Sequence, residues 1–220
     1  MSSDDAGGTA APASGGRGIR GEVAALKRAR VLDAATDLFY ERGFANTTLD
    51  DVAARLGVTK PFIYAHVGSK SALLGEISAQ GVTRALEVAE AALAIGEEPG
   101  AGLRAFVPAY LTVILDAQKS IAINIREEKN LDPADAARLA DLRQAFMGRV
   151  EALLERGEVV VPDVRIAAFA LVGAVSWTTF WFNPAGALSV AEMSDRMTRT
   201  ILNLALARQT PAAQGDTDRS

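Results

Sequence analysis

Apolar residues recur at helical spacing along most of the chain, and no segment has the alternation typical of a strand. The clearest stripe has apolar residues at i, i+3, i+4 and i+7: Leu49, Val52, Ala53 and Leu56. Thr48 precedes the stripe and Asp51 lies three residues after Thr48, which is the pattern of a capping box at the start of a helix. Gly57 directly follows the last apolar position, where a chain leaving a helix often needs positive φ.

The same periodicity predicts helices on both sides of this segment. A first helix is expected over 23–42, with Val23 and Leu26 on its buried side. Ser69 is expected to cap a long helix that ends near residue 94, and a Gly- and Pro-containing break follows at 96–102. Five more helices are expected, over 103–118, 121–128, 133–156, 164–182 and 189–207. The sequence therefore predicts an all-α fold.

Two short helices joined by a tight turn are typical of a helix-turn-helix. Ala53 keeps the first helix thin at the crossing, Gly57 forms the turn, and Ile63 anchors the second helix. This spacing alone also fits an ordinary helical hairpin. The second helix, which Thr59 is expected to cap, favours DNA binding because hydroxyl, lysine and aromatic side chains suit phosphates and base edges. The candidate DNA-binding residues are Thr47, Thr48, Thr59, Lys60, Pro61, Phe62, Tyr64, His66 and Lys70.

Residues 32–77 resemble the DNA-binding domain of the tetracycline-repressor (TetR) family. The residues that carry the resemblance are Ala34, Ala35, Leu38, Phe39, Gly43, Thr47, Thr48, Val52, Ala53, Gly57, Val58, Tyr64, His66, Lys70 and Leu73. Val67 departs from the pattern, since many members have Phe there, although a Tyr-x-His-Val form also occurs in the family. The resemblance implies an N-terminal three-helix helix-turn-helix domain joined to a C-terminal helical domain for ligand binding and dimerisation.

Composition divides the chain into four parts. Residues 1–18 are mostly small or polar, which predicts a disordered tail. The helix-turn-helix DNA-binding domain is expected at 19–68 and the regulatory and dimerisation domain at 69–208. The polar residues 209–220 predict a second disordered tail.

Charge and residue content narrow the class of function. The formal net charge is −4, but residues 17–70 carry +3 and the remainder −7, which suits one domain that faces phosphate. Ordinary surface scatter would also produce +3. One His, no Cys and no metal-ligand spacing argue against an enzyme, a metal site or a cofactor. No signal peptide opens the chain, and the apolar run 166–182 is short for a membrane span, so a cytoplasmic protein is expected.

The C-terminal helices suggest two further properties. The apolar hairpin 164–182 and 189–207 predicts a homodimer through a twofold four-helix bundle, unless the hairpin is buried within one chain. The apolar positions in line on its second helix are Met193, Met197, Ile201 and Leu204. Aromatic residues with a few polar neighbours predict a ligand pocket, although each would serve equally as core. The candidate ligand-binding residues are Phe106, Tyr110, Ile114, Asn124, Arg126, Phe146, Phe169, Trp177, Phe180 and Trp181. The family resemblance implies both the dimer and the pocket.

The sequence therefore predicts a ligand-responsive, dimeric transcriptional regulator, most often a repressor in this family. A small apolar or amphipathic effector would release it from a palindromic double-stranded DNA operator. Segments 126–133 and 181–189 are similar to family branches that sense acyl-coenzyme A or related lipids, and drug-like effectors fit nearly as well. The alternative is a sequence-independent nucleoid-type DNA-binding protein without an effector, which would be more basic and would not need an aromatic-rich second domain.

Overall fold

The structure is a computed structural model that describes residues 15–96, 98–183 and 185–206, with side chains over 21–96, 98–183 and 185–203. This part of the chain is helical and contains no strand, as predicted. The helices are α1 (Gly15–Arg42), α2 (Leu49–Leu56), α3 (Lys60–Val67), α4 (Lys70–Leu93), α5 (Ala101–Asp116), α6 (Gln118–Glu127), α7 (Pro133–Arg156), α8 (Val164–Ser176), α9 (Thr178–Trp181) and α10 (Val190–Leu206). A short 3-10 turn, Glu128–Asn130, connects α6 to α7.

The first helix begins earlier than its apolar periodicity indicated. Residues 15–18, expected in the disordered tail, form the first turn of α1, while the rest of both expected tails lies outside the described residues. Val23 and Leu26, expected on the buried side, are 45% and 65% exposed. The prediction was wrong because residues 21–30 of α1 are all exposed and the buried side of the helix begins at Val31.

The N-terminal core is shared between helices of both halves of the chain. It contains residues from α1, α2, α3, the start of α4 and one residue of α6: Val31, Ala34, Ala35, Leu38, Phe39, Leu49, Val52, Ala53, Ile63, Val67, Leu73, Leu74, Ile77 and Ile123. Ile123, which lies in the C-terminal half of the sequence, is fully buried there. The helix-turn-helix bundle is therefore completed by α4 and α6, on the far side of the expected boundary at residue 68.

The C-terminal core is built from α4, α5, α7, α8 and α10, with Phe106, Leu111 and Leu154 among its most buried side chains. Helix α10 packs against α5. Met193 and Ile201, expected to lie in the dimer interface, are buried in this core. That assignment was wrong because periodicity identifies an apolar face without identifying the helix that covers it. The side chain of Leu204 lies outside the described residues.

The most apolar segment is interrupted rather than continuous. Instead of one helix over 164–182, α8 ends at Ser176, a turn occurs at Trp177, and α9 follows. The segment Val164–Trp181 has a mean hydropathy of 1.4 and passes a length and composition test for a membrane span. Helices α5 and α6 pass together but are bent by 66° at their junction. Only 22% of the 164–181 segment is buried, so most of its apolar surface is open in a single chain.

Candidate functional site

The capping box at Thr48 begins α2 as predicted. The Thr48 hydroxyl accepts a hydrogen bond from the Asp51 backbone N–H at 3.2 Å, and the Asp51 carboxylate accepts one from the Thr48 backbone N–H at 2.7 Å. The Thr48 hydroxyl also lies 2.6 Å from the same carboxylate oxygen. These bonds from Thr48 lower the pKa of Asp51, because they favour its charged form. The start of α2 is thereby fixed at the surface of the bundle.

The turn between α2 and α3 also has the predicted geometry. Gly57 adopts φ 65°, and Val58 N–H donates to the Ala53 carbonyl at 3.0 Å. This bond back to the end of α2 needs the left-handed conformation at position 57, which costs glycine least. Ile63 is fully buried and Ala53 is 6% exposed, so the second helix is anchored where it crosses the first. The outer side of α3 is consequently directed away from the bundle.

Polar side chains cover this outer side of α3. Thr59, Lys60, Pro61 and Ala65 are exposed, and Tyr64 is 52% exposed. Thr59 occupies the N-cap position, but its side chain makes no capping bond, contrary to expectation. The Lys60 ammonium lies 2.6 Å from an Asp50 carboxylate oxygen on α2. Its hydrogen bond to Asp50 raises the pKa of Lys60, so the ammonium remains charged.

Phe62 and His66 form a stacked pair one turn apart on α3. Their ring centroids are 4.3 Å apart, and the Lys27 ammonium lies 5.8 Å from the Phe62 ring centroid. Phe62 is only half-buried, against the N-terminal core. His66 Nδ1 lies 2.7 Å from the Phe62 carbonyl oxygen, which can only accept, so Nδ1 carries the proton. Nε2 is therefore the ring nitrogen that remains for an external partner.

Thr47 was expected to contact DNA phosphates, and this prediction was wrong. It is fully buried, and its hydroxyl lies 2.9 Å from the Gly43 carbonyl and 3.3 Å from the Leu38 carbonyl. The side chain therefore holds the α1–α2 loop closed and cannot reach a DNA backbone. Lys70, at the start of α4, remains half-buried with its ammonium 4.2 Å from the Phe44 ring centroid.

Most basic side chains near α3 have a carboxylate partner within the chain. Arg55 lies 2.8 Å from Glu41, and Arg42 lies 3.9 Å from Asp51. Arg28 pairs with Glu76 of α4. The local positive charge of this surface is therefore smaller than its count of basic residues suggests.

A polar cluster on α6, which the sequence reasoning missed, contacts the N-terminal bundle. The buried carboxylate of Glu127 accepts hydrogen bonds from Arg126 Nε and Asn130 Nδ2, both at 2.9 Å, and from Phe44 N–H at 3.4 Å. Arg126 also donates to the Phe39 carbonyl at the end of α1. Arg126, expected in the ligand pocket, therefore faces the N-terminal bundle instead. The adjacent Arg126 and Glu127 were the available sequence signal.

A cavity of about 300 Å³ lies among α4, α5, α6, α7 and the α8–α9 junction. Five of the ten candidate ligand residues line it: Tyr110, Ile114, Asn124, Phe146 and Phe180. The Tyr110 hydroxyl lies 2.9 Å from the Ser176 hydroxyl, and burial raises the pKa of Tyr110 to about 12. This wall is therefore apolar, with hydroxyl groups at one side.

The other candidate ligand residues lie elsewhere. Phe106 is fully buried behind Tyr110, with the two ring centroids 5.2 Å apart. Phe169, Trp177 and Trp181 are exposed on the outside of α8 and α9, and do not line the cavity. Their assignment was wrong because residues 166–182 are almost entirely apolar, so the sequence does not distinguish the inner side of α8 and α9 from the outer side.

Polar residues missed by the sequence reasoning also line the cavity. Ser78 of α4, Arg143 of α7 and Ser176 of α8 are among them. Arg143 donates to the Asn124 side-chain oxygen at 2.7 Å and to Glu128 at 2.7 Å. A serine within the buried face of α4 was a sequence signal, since apolar residues precede it on the same face. Among the described residues, no group of His, Cys, Asp or Glu is arranged to hold a metal ion.

Comparisons with known proteins agree with this architecture. Residues 31–77 match the family of bacterial regulatory proteins of the tetR type, and residues 96–205 match the tetracyclin repressor-like C-terminal domain. The HTH-type transcriptional repressor KstR2 of Rhodococcus jostii is 27% identical over 184 residues, covering 80% of this chain and 90% of that protein. The HTH-type transcriptional activator FasR of Mycolicibacterium smegmatis is 26% identical over 159 residues, covering 71% of this chain and 73% of that protein.

Solved structures give the same result for the fold. The TetR family transcriptional regulator PfmR of Thermus thermophilus superposes with a TM-score of 0.70 at 29% identity, covering 79% of this chain and 97% of that one. The AibR structure in complex with isovaleryl coenzyme A and operator DNA has a TM-score of 0.66 at 24% identity, with 79% and 97% covered. These relatives are regulators rather than enzymes. With both of its domains matched, this chain belongs to the TetR family of bacterial transcriptional regulators.

Proposed function

We propose that this protein is a homodimeric regulator that binds a near-palindromic operator through α3 and changes its DNA affinity when a small apolar ligand enters the cavity. The observation that carries the DNA-binding part is the arrangement of α3. Ile63 and Val67 anchor the helix in the core, while Thr59, Lys60 and Tyr64 project outward from a fixed turn. A rigid helix with an exposed polar side can enter the major groove.

The side chains of α3 and its surroundings divide into two roles. Thr59 and Lys60 lie at the N-terminal end of α3, the end that contacts base edges in helix-turn-helix proteins. Tyr64, His66 and Lys70 lie towards its other end and would contact phosphates, which set the register of the helix on the duplex. Thr48 belongs with the phosphate contacts because it is exposed at the start of α2.

An exposed aromatic face supports the homodimer. The outer side of α8 and α9 carries four large apolar side chains that are each more than half exposed: Ile166, Phe169, Trp177 and Trp181. Phe180 of the cavity wall contacts Trp177 and is also 64% exposed. Several large exposed apolar side chains on neighbouring helical turns are typical of an interface. A second copy of this chain is the proposed partner, since an isologous pair presents two copies of α3 to successive half-sites.

Helix α6 supports a connection between ligand and DNA. Helix α6 contributes Ser120, Ile121 and Asn124 to the cavity, and on the adjoining part of its surface it contributes Ile123 and Glu127 to the DNA-binding bundle. A ligand that changes the position of α6 would therefore change the bundle to which α6 is attached. Its effect is limited by its difference in affinity for the two positions.

The effector that suits the cavity is small and mostly apolar. About 300 Å³ is at the lower end of the range for ligand sites, which is sufficient for a lipid-like tail or a small drug. The relatives include both a repressor and an activator, and we propose repression because the family resemblance favours it.

The rival is a nucleoid-type protein that binds any duplex through charge alone. Such binding needs many unneutralised Lys and Arg side chains at the DNA surface. Here Lys60, Arg55 and Arg28 already pair with carboxylates. The pairing favours recognition by contact over binding by net charge.

Selection from a random duplex library, followed by footprinting of the selected DNA, tests the proposal. We expect a short protected palindrome with two half-sites about one helical turn or a multiple of it apart. Uniform protection without an enriched motif would support the nucleoid-type rival and contradict operator binding.

A further inference from the structure

Unpartnered polar atoms are rare inside the described part of the protein, and two of them border the same cavity. Among the described residues, the buried side-chain atoms without a hydrogen-bond partner are Ser78 Oγ, Asn124 Nδ2 and Thr198 Oγ1. Ser78 and Asn124 both line the 300 Å³ cavity, while Thr198 lies on α10 and does not. Because a buried polar group without a partner destabilises the fold, a pair at one cavity indicates a place for a ligand atom.

The orientation of the Asn124 amide follows from its neighbour. Arg143 Nη2 lies 2.7 Å from Asn124 Oδ1, and a guanidinium has donors only. The amide oxygen must therefore face Arg143, which leaves the Nδ2 donor without a protein partner. The Ser78 hydroxyl, on a residue of α4 that is only 6% exposed, has an O–H that can donate as well. A ligand that binds both free donors, the Ser78 hydroxyl and Asn124 Nδ2, must therefore carry a hydrogen-bond acceptor.

The charge distribution of the cavity wall disfavours ionised ligand groups. Arg143 is the only charged residue among the described lining residues, and its guanidinium binds Glu128 at 2.7 and 3.2 Å. The hydroxyl groups of Tyr110 and Ser176 bind each other, and Thr179 donates to the Ser176 carbonyl. A carboxylate or an ammonium entering this wall would find no free opposite charge, and its desolvation would oppose binding.

We propose that the effector is a neutral, mostly apolar molecule with one carbonyl-type acceptor, held by Ser78 Oγ and Asn124 Nδ2. This inference rests on the proposed effector cavity and specifies its ligand class. The carbonyl would join α4 to α6, the two helices that extend from the cavity into the N-terminal core through Ile77 and Ile123. The same two hydrogen bonds would thus bind the ligand and transmit its effect to the DNA-binding bundle.

Calorimetric titration of the full-length protein with four probes of matched chain length tests this proposal. The probes are 2-nonanone, nonane, nonanoate and nonylamine. We expect 2-nonanone to bind about tenfold more tightly than nonane, from the added hydrogen bonds. Nonanoate and nonylamine are expected to bind more weakly than 2-nonanone, because their charge must be buried without a partner.

Three variants identify the atoms responsible. Ser78→Ala removes one donor, and Asn124→Asp keeps the oxygen that faces Arg143 while replacing Nδ2 with an acceptor. Ser78→Ala and Asn124→Asp are each expected to lower the affinity for 2-nonanone by about fivefold while leaving the affinity for nonane unchanged. Thr198→Val is the matched control, since it removes the third unpartnered atom away from the cavity. Ser78→Ala and Thr198→Val should both raise the Tm of the unliganded protein by about 2–4 °C, which shows that both fold.

The outcomes separate this inference from the proposed function. Equal affinities for 2-nonanone and nonane, unchanged in Ser78→Ala, would overturn the carbonyl site while leaving an apolar effector cavity. Tightest binding of nonanoate would overturn the neutral class. Failure of all four probes to bind, nonane included, would overturn the effector cavity itself.

Discussion

Replacement of Ile123 by Ala should destabilise the DNA-binding bundle from the C-terminal half of the chain. Ile123 is fully buried among N-terminal core residues, although it belongs to α6. The change removes three buried carbons, which at about 0.8 kcal/mol each correspond to about 2.4 kcal/mol of lost transfer free energy. The cavity left behind adds to this cost, so the expected loss is about 3–4 kcal/mol.

Hydrogen exchange of backbone amides locates the loss, because local opening is measured residue by residue. Protection should decrease over residues 31–77, whereas residues distant from position 123 in α7 and α10 should change little. Ile125→Ala is the matched control on the same helix. Because Ile125 is 68% exposed, the free energy of unfolding of this variant should stay within about 0.5 kcal/mol of that of the unmodified protein. A loss of stability in Ile123→Ala no larger than in Ile125→Ala, or a loss of protection confined to residues 101–203, would refute the predicted role of Ile123 in the DNA-binding bundle.

Three further predictions address DNA binding, assembly and titration. Lys70→Ala should weaken DNA binding about equally on all duplex sequences, whereas Lys60→Ala should change the preferred sequence. Competition binding measures both effects, with Lys129→Ala as the control. An equal loss of specificity from both variants would contradict the assigned roles. Trp177→Glu should give a monomer in sedimentation with a folded helical spectrum, because this side chain is 63% exposed in a single chain, while Val160→Glu should leave the dimer intact. Absorbance titration of the three tyrosines should show a step near pH 12 that is absent from Tyr110→Phe. Because the pKa of Tyr110 is raised in the folded state, its contribution to stability is present below about pH 10 and is lost as the pH rises towards 12, so stability should fall over that range.

Local signals in the sequence predicted the local geometry well. The capping box at Thr48 forms with the expected bonds, and α7 spans the predicted 133–156. Gly57 adopts the left-handed conformation that its position after an apolar stripe predicted. Each of these features depends on residues within a few positions of one another, which the sequence displays directly.

The sequence does not identify the surface that covers each apolar face. Met193 and Trp177 are both apolar residues of the last helices, yet one is core and the other is exposed. Thr47 has the hydroxyl expected of a phosphate contact, but distant carbonyls fix it inside the bundle. The roles of Ile123 and Glu127 likewise depend on partners in residues 31–77, distant in the sequence, which periodicity does not encode.

The pairing of Lys60 with Asp50 has a consequence for how the protein searches DNA. A DNA group that binds the ammonium competes with a carboxylate 2.6 Å away, and a displaced Asp50 then faces the duplex. Random sequence offers phosphates and base edges that do not match α3 in compensation, whereas the operator offers matching base edges. Encounters with random DNA should accordingly be brief and end in dissociation, so that the protein leaves wrong sites quickly and remains only where groove contacts outweigh the exposed Asp50.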